Sequence, residues 1–244
     1  MDALILAAGY ATRLYPLTLT KAKPLLPVCG IPMIEHVLNS LKTLGNVDRF
    51  FVVTNDKFHK DFEDWSATRP DVKITIINDG STAPENALGA IGDINFTRKQ
   101  AGIENDMVIM GGDNLLTGSL EGFRILIEEK KEAATVLFDV GNLNEVKKYN
   151  AISVDNTGKI TSFEEKPQNP VSSTTGICLY YYPKHILPMI DAYVSEGNNP
   201  DQPGRFLQWL HKRQPVYTWQ LKGQWLDIGS KETLEEANRI FASK

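Results

Sequence analysis

The sequence predicts an α/β fold, a mostly parallel sheet flanked by helices. Short continuous apolar runs recur through its first 140 residues, and stretches with helical spacing separate them. Strands buried on both faces read as unbroken apolar runs, and their alternation with helices marks a parallel sheet covered on both sides. A third observation is the small-residue turn at Gly9, directly after the first run. Open α/β sheets bind ligands at such strand ends.

The first strand is expected over residues 3–8 (ALILAA). Met33, Ile34, Val37, Leu38, Leu41 and Leu44 then repeat at helical spacing, with Pro32 opening that helix and Gly45 closing it. Further strands are expected at 50–53, 74–77, 107–110 and 135–138, with helices around 57–66, 87–100 and 119–132. After residue 140 the rhythm changes. Shorter strands at 149–154, 159–164 and 176–182 are expected around the turn DNTG at 155–158. Helices at 184–195 and 204–213, a strand near 215–221 and a helix near 231–242 complete the pattern. The segment GNNPDQPG at 197–204 reads as a loop, because the strand pattern resumes after it. One domain over 1–244 is expected, its second half (about 141–244) embedded in the first (about 1–140).

The 244 residues carry 26 Lys+Arg and 30 Asp+Glu, a net charge of −4, with 42% hydrophobic residues. A chain of this length buries roughly 70–75% of its unfolded surface, so no disulfide or metal staple is required. Two cysteines, Cys29 and Cys178, make neither a disulfide framework nor a Cys-based zinc site. The acidic balance argues against a nucleic-acid partner or a polybasic membrane binder. No apolar run approaches the ~20 residues of a membrane span, and no signal-peptide pattern is visible, so a cytoplasmic protein is expected. The charge is unevenly spread. Residues 3–34 hold no acid but carry Arg13, Lys21 and Lys23, so this window is +3 and the rest is −7.

That basic window coincides with the small-residue turn AAGYATR at 7–13. Such a turn lets backbone N–H groups approach a phosphate without side-chain obstruction. Neither the Rossmann spacing nor the Walker ending is present, so the turn alone could equally be a tight connection. Arg13 and Lys23 flank a segment with Pro16, Pro24 and Pro27, too proline-rich for an ordinary helix. Three locally unpaired cations favour a polyanion. Two carboxylates also stand out: Asp113 in GGDN, past the run MVIM, and Asp227 in GQWLDIGS. Aspartates on different strand ends can converge on one Mg²⁺, which needs few protein ligands. Asp113 could instead be a turn residue and Asp227 a helix cap, although Ser230 is better placed to cap. The segment EEKP at 164–167 would ordinarily be a charged turn.

The composite LAAGYATRLYPLT, AKPLLPV and GIPMIEH resembles the N-terminal signature of the sugar-1-phosphate nucleotidyltransferases. The resemblance implies a Rossmann-like sheet of the GT-A type, with a nucleotide-binding half about 1–140 and a sugar-phosphate-binding half about 141–244. It implies no C-terminal β-helix domain. It also implies attack of a sugar 1-phosphate on the α-phosphorus of an NTP, with Mg²⁺ on Asp113 and Asp227. Leu6, Ala8, Gly9, Tyr10, Ala11, Thr12 and Arg13 would line the nucleotide. Arg13 and Lys23 would hold the triphosphate and Lys166 the sugar phosphate, with Asn150, Glu165, Thr175 and Gly176 around the sugar. Ala11 stands where the family usually has Gly, which suits φ < 0 but would be strained at positive φ. Asn150 replaces a usual Gly and is expected to alter the sugar pocket.

Thr82 and Ala87 fall where thymidylyl- and uridylyl-transferring relatives read the base, Thr82 replacing a Gln. The ending WLDIGS and the chain length look like the glucose-1-phosphate thymidylyltransferase branch, which puts dTTP and glucose 1-phosphate first. UTP, CTP, GTP and a non-sugar phosphate acceptor stay open, as does homo-oligomerisation. A reading of another class is a non-catalytic regulatory subunit that binds nucleotide-sugars.

Overall fold

Alternation within each apolar run decides how the sheet is covered. In the computed structural model, which describes residues 1–242, Ala3 and Ile5 of the first strand point into one core and Leu4 into the other. Side chains on a strand alternate between faces, so one short run supplies both cores, and a one-residue slip would exchange them. Each fully buried aliphatic side chain contributes roughly 1.5–3 kcal/mol.

In chain order the elements begin with β1 (Asp2–Leu6), β2 (Pro27–Val28), β3 (Ile31–Pro32), α1 (Met33–Lys42), β4 (Arg49–Thr54), α2 (His59–Ala67), β5 (Ile74–Asn78) and α3 (Ala90–Gln100). Then come β6 (Met107–Gly111), β7 (Asn114–Thr117), α4 (Glu121–Lys130), β8 (Ala133–Asp139), α5 (Leu143–Val146), β9 (Asn150–Val154) and β10 (Ile160–Glu165). The last are β11 (Thr174–Tyr182), α6 (Leu187–Ser195), α7 (Pro203–Leu210), β12 (Val216–Gln220), β13 (Gln224–Asp227) and α8 (Lys231–Ala242).

Among the described residues the main sheet has seven strands in the order β12-β8-β11-β6-β1-β4-β5. All run parallel except β11, which is antiparallel to both of its neighbours, β6 and β8. The predicted α/β class with a mostly parallel sheet is therefore correct. From β1 the chain builds β4 and β5 on one flank and then returns to β6 on the other. The point where the order reverses, at the carboxyl ends of β1 and β6, is where such sheets open a ligand crevice.

Three features differ from the sequence expectation. The strand expected at 176–182 is nine residues long and lies inside the main sheet, while the other two of that group, β9 and β10, pair with each other apart from it. Its aromatic run Tyr180–Tyr182 is buried on both faces, which an interior strand requires. A second ribbon, β7 with β13, aligns Asn114 opposite Asp227. Gly223 at its start lies so close to Thr117 that a Cβ there would collide with the Thr117 carbonyl. The helix expected from residue 87 starts at Ala90. Gly89 takes φ +76°, and the Ala90 and Ile91 N–H groups donate to Asp201 and Pro200 carbonyls at 3.2 and 2.8 Å. No helix among the described residues is long and apolar enough to cross a membrane.

Candidate active site

The turn after β1 is built for close approach. The Gly112 N–H donates to the Leu6 carbonyl at 2.9 Å, joining the ends of β1 and β6. Ala8 is buried, and Asn55 holds its carbonyl through Nδ2 at 2.8 Å. Gly9 is exposed with open space where a Cβ would lie. Tyr10 is buried beneath the turn, and Thr12 opens a single 3₁₀ turn, Thr12–Leu14. Ala11 takes φ +48°, ψ +44°, so the strained alternative is the one realised. The buried Thr18 hydroxyl donates to the Ala11 carbonyl at 2.8 Å and holds it there. A non-glycine residue in this region costs roughly 1–2 kcal/mol, and such strain clusters at functional sites.

Arg13, Lys23, Asp113 and Asp227 converge at this crevice from four separate segments. The Lys23 ammonium pairs with Asp113 Oδ2 and donates to the Ile228 carbonyl at 2.8 Å. It therefore ties the proline-rich segment to the ends of both β6 and β13. Arg13 is exposed and has no ion pair among the described residues; its guanidinium lies 3.8–3.9 Å from where a Gly229 Cβ would be. Ser230 caps α8, accepting from the Thr233 N–H at 3.3 Å, so Asp227 is not spent as the cap.

The two carboxylates press on each other. Burial pushes Asp227 up to about 6, the Asp113 charge adds to that, and Lys23 and Arg13 oppose it. At Asp113 burial acts upward too, but the Lys23 ammonium and the Asn114 amide outweigh it and hold the carboxyl low. Among the described residues no group of three or more His, Cys, Asp or Glu side chains could hold a metal ion. A pair of mutually repelling, half-buried carboxylates fits Mg²⁺, which completes its shell with water and phosphate oxygens.

Behind the pair lies a layer in which Asn114 is the residue that sequence reasoning missed. Asn114 Nδ2 donates to Asp113 Oδ1 at 2.9 Å, and Trp225 Nε1 donates to Asn114 Oδ1 at 2.8 Å. Trp225 packs edge-on against Tyr149, with centroids 4.9 Å apart. Trp225 stands two residues from Asp227, and that period-two spacing on one short strand marks it in the sequence.

The second cluster is built differently. Lys166, at the end of β10, takes φ +49° and is exposed; its N–H donates to the Tyr149 carbonyl at 2.7 Å. Glu165 opposes Asn150 across the β9–β10 pair. Burial pushes its carboxyl up to about 7, against the opposing charges of Arg205 and Lys166, and Oε2 has no hydrogen-bond partner. Gly204 at the start of α7 lies against that oxygen, where a Cβ would clash. Asn150 turns inward: Nδ2 donates to the Gly176 carbonyl at 3.0 Å, and Oδ1 accepts from the Gly176 N–H at 2.7 Å and the Thr175 hydroxyl at 3.2 Å. Tyr149 joins the two clusters. Burial and the Asp227 charge push its phenol up to about 12, while Arg13 pulls the other way. Thr82 and Ala87 sit apart on an exposed loop held by Asn86, whose Oδ1 accepts from the Thr82 and Ala83 N–H groups.

Comparison with known proteins gives the family. A glucose-1-phosphate thymidylyltransferase from Streptomyces griseus is 28% identical over 98% of this chain and 66% of its own length. A mannose-1-phosphate guanylyltransferase from Arabidopsis thaliana is 29% identical over 99% of this chain and 64% of its own. A solved structure of a candidate glucose-1-phosphate thymidylyltransferase from Bacillus anthracis, in complex with sucrose, superposes with a TM-score of 0.84 and 26% identity. That match covers 98% of this chain and 94% of the other. The chain spans about half to two thirds of the length of the curated relatives it matches. The family model described as nucleotidyl transferase matches residues 2–244, and the chain belongs to that family.

Proposed function

We propose that this protein transfers a nucleotidyl group from an NTP to a sugar 1-phosphate, releasing an NDP-sugar and pyrophosphate. The observation that carries the reading is the convergence of Arg13, Lys23, Asp113 and Asp227 where the strand order reverses. Asp113 and Asp227 would hold Mg²⁺, whose chemistry there is to neutralise charge on the α-phosphate. Arg13, which has no ion pair among the described residues, binds the triphosphate by its planar fork. Lys23 holds Asp113 in place. Lys166, exposed in the expected sugar-phosphate half (about 141–244), holds the acceptor phosphate. The attacking oxygen is already anionic, so no general base is needed. Catalysis comes from aligning two mutually repelling anions and stabilising developing charge.

For the substrates, dTTP and glucose 1-phosphate are the first reading, supported by the WLDIGS ending and the thymidylyltransferase relative. UTP, CTP and GTP are the alternatives, since the Arabidopsis relative of equal similarity is named for guanylyl transfer. The test is pyrophosphate release with Mg²⁺, each NTP and a panel of sugar and non-sugar phosphates. Release with one pair far above the others supports the reading. Silence across the panel with nucleotide-sugar binding intact would make the protein a regulatory subunit instead.

A further inference from the structure

Two side chains hold the turn after β1 from beneath. Asn55, just past the end of β4, is fully buried, and its Nδ2 donates to the Ala8 carbonyl at 2.8 Å. Its amide cannot be turned the other way, because Oδ1 accepts from the Phe58 N–H at 3.2 Å. Thr18 is also fully buried, and its hydroxyl donates to the Ala11 carbonyl at 2.8 Å. A carbonyl can only accept, so the direction of that bond is fixed as well. The Leu14 N–H meets the same carbonyl at 3.0 Å.

A trans peptide is planar, with its C=O and the following N–H pointing opposite ways. The Ala8 and Ala11 carbonyls are drawn inward onto buried donors, so the Gly9 and Thr12 N–H groups point outward. Both residues are exposed, and neither N–H has a hydrogen-bond partner among the described residues. Ala11 lies between them at φ +48°, the left-handed conformation that gathers successive N–H groups into an anion-binding concavity. No acid competes from the same stretch, since residues 3–34 contain none.

We propose that Asn55 and Thr18 are positioning residues for the triphosphate: each locks one peptide plane of the turn, presetting the Gly9 and Thr12 N–H groups toward phosphate oxygens. That the anion is a triphosphate rests on the functional reading above, whereas the two locked planes are a property of the turn. Neither side chain touches the ligand. The lock matters because an unheld peptide plane can swing its carbonyl toward the anion, and that end of the dipole repels it. Binding is strengthened by removing this freedom in advance. A packing role alone has a different consequence: losing either side chain would lower stability and weaken every ligand alike.

The experiment follows the backbone amide resonances of isotope-labelled protein titrated with inorganic triphosphate and, separately, with glucose 1-phosphate. In the wild type, the Gly9 and Thr12 amide protons should move downfield with inorganic triphosphate and stay still with glucose 1-phosphate. Thr18→Val keeps the shape and loses the donor. It should silence the Thr12 response, spare that of Gly9, and weaken triphosphate binding about tenfold or more. Glucose 1-phosphate affinity should not change, and Thr18→Ser should restore both the response and the binding. Asn55→Asp, which at neutral pH cannot donate, should silence Gly9 and spare Thr12; the Thr18 variants decide alone if it does not fold. Triphosphate binding to the wild type without a response from Gly9 and Thr12 would overturn the proposal. Equal weakening of both ligands in Thr18→Val would overturn it too, and either result leaves the transferase reading standing. A protein that binds no inorganic triphosphate would overturn both.

Discussion

The two clusters of candidate site residues are held by opposite means. Around Asp113, charges are locked by side chains: Lys23, 90 residues away, on Asp113, the adjacent Asn114 behind Asp113, and Trp225 behind Asn114. Around Lys166 the chain is exposed on a left-handed backbone, and one Glu165 oxygen has no partner. Under the proposed function, the first region would be preorganised for charge that develops during transfer, and the second would hold polar groups whose partners arrive with the acceptor. Removing a residue from the first should therefore damage structure and rate together, and removing one from the second should damage rate alone.

The largest effect is expected at Asp113. Asp113→Asn removes a carboxylate from the Mg²⁺ pair and strands the Lys23 ammonium. Turnover should fall about 10³-fold or more, and thermal unfolding should show a loss of about 1–3 kcal/mol. Full stability in this variant would show that the Lys23 pair is not structural. Next is Lys166→Ala, with pyrophosphate release down about 10²–10³-fold and the melting temperature unchanged, because the side chain is exposed. Equal destabilisation in both variants would erase the contrast between the two regions.

These sites were not equally legible. Asp113 could be read because it follows an apolar run, and a buried parallel strand leaves no ambiguity about where it ends. The Rossmann-like order of strands and helices was legible for the same reason. The Lys23–Asp113 pair was not, because it joins residues 90 apart and no local periodicity encodes it. The β7–β13 ribbon was missed because four-residue strands give too few alternations. The direction of β11 was also hidden, since a run of buried residues looks the same from either end. Asn150 illustrates a partial success: its unusual identity was visible, but its inward turn onto Gly176 depends on β11 lying alongside β9.

A smaller effect separates the two halves by pH. Glu165 is pushed up from 4.5 to about 7, so the folded state binds its proton more tightly than the unfolded chain. The resulting stability is complete below pH 4.5 and is lost as pH rises through about 7. Glu165→Gln should remove that slope, so the variant should melt higher than wild type at pH 8 and not at pH 4.5. The same advantage at both pH values would show that burial of the charged carboxylate is not its cause. The smallest effect is expected in the glycine turn. Ala11→Gly relieves a positive φ and should stabilise by about 0.5–1 kcal/mol, roughly 1–4 °C in melting temperature. No change, or a loss, would place the strain elsewhere.

The central claim is that the two regions act on one transfer. A single-turnover reaction with dTTP labelled at the α-phosphate, glucose 1-phosphate and Mg²⁺ tests it most directly. The account predicts that all label consumed appears in a nucleotide-sugar, with one pyrophosphate released per label transferred. Label recovered as free nucleoside monophosphate, with glucose 1-phosphate untouched, would mean that the sugar-phosphate half does not deliver the attacking group and would contradict it.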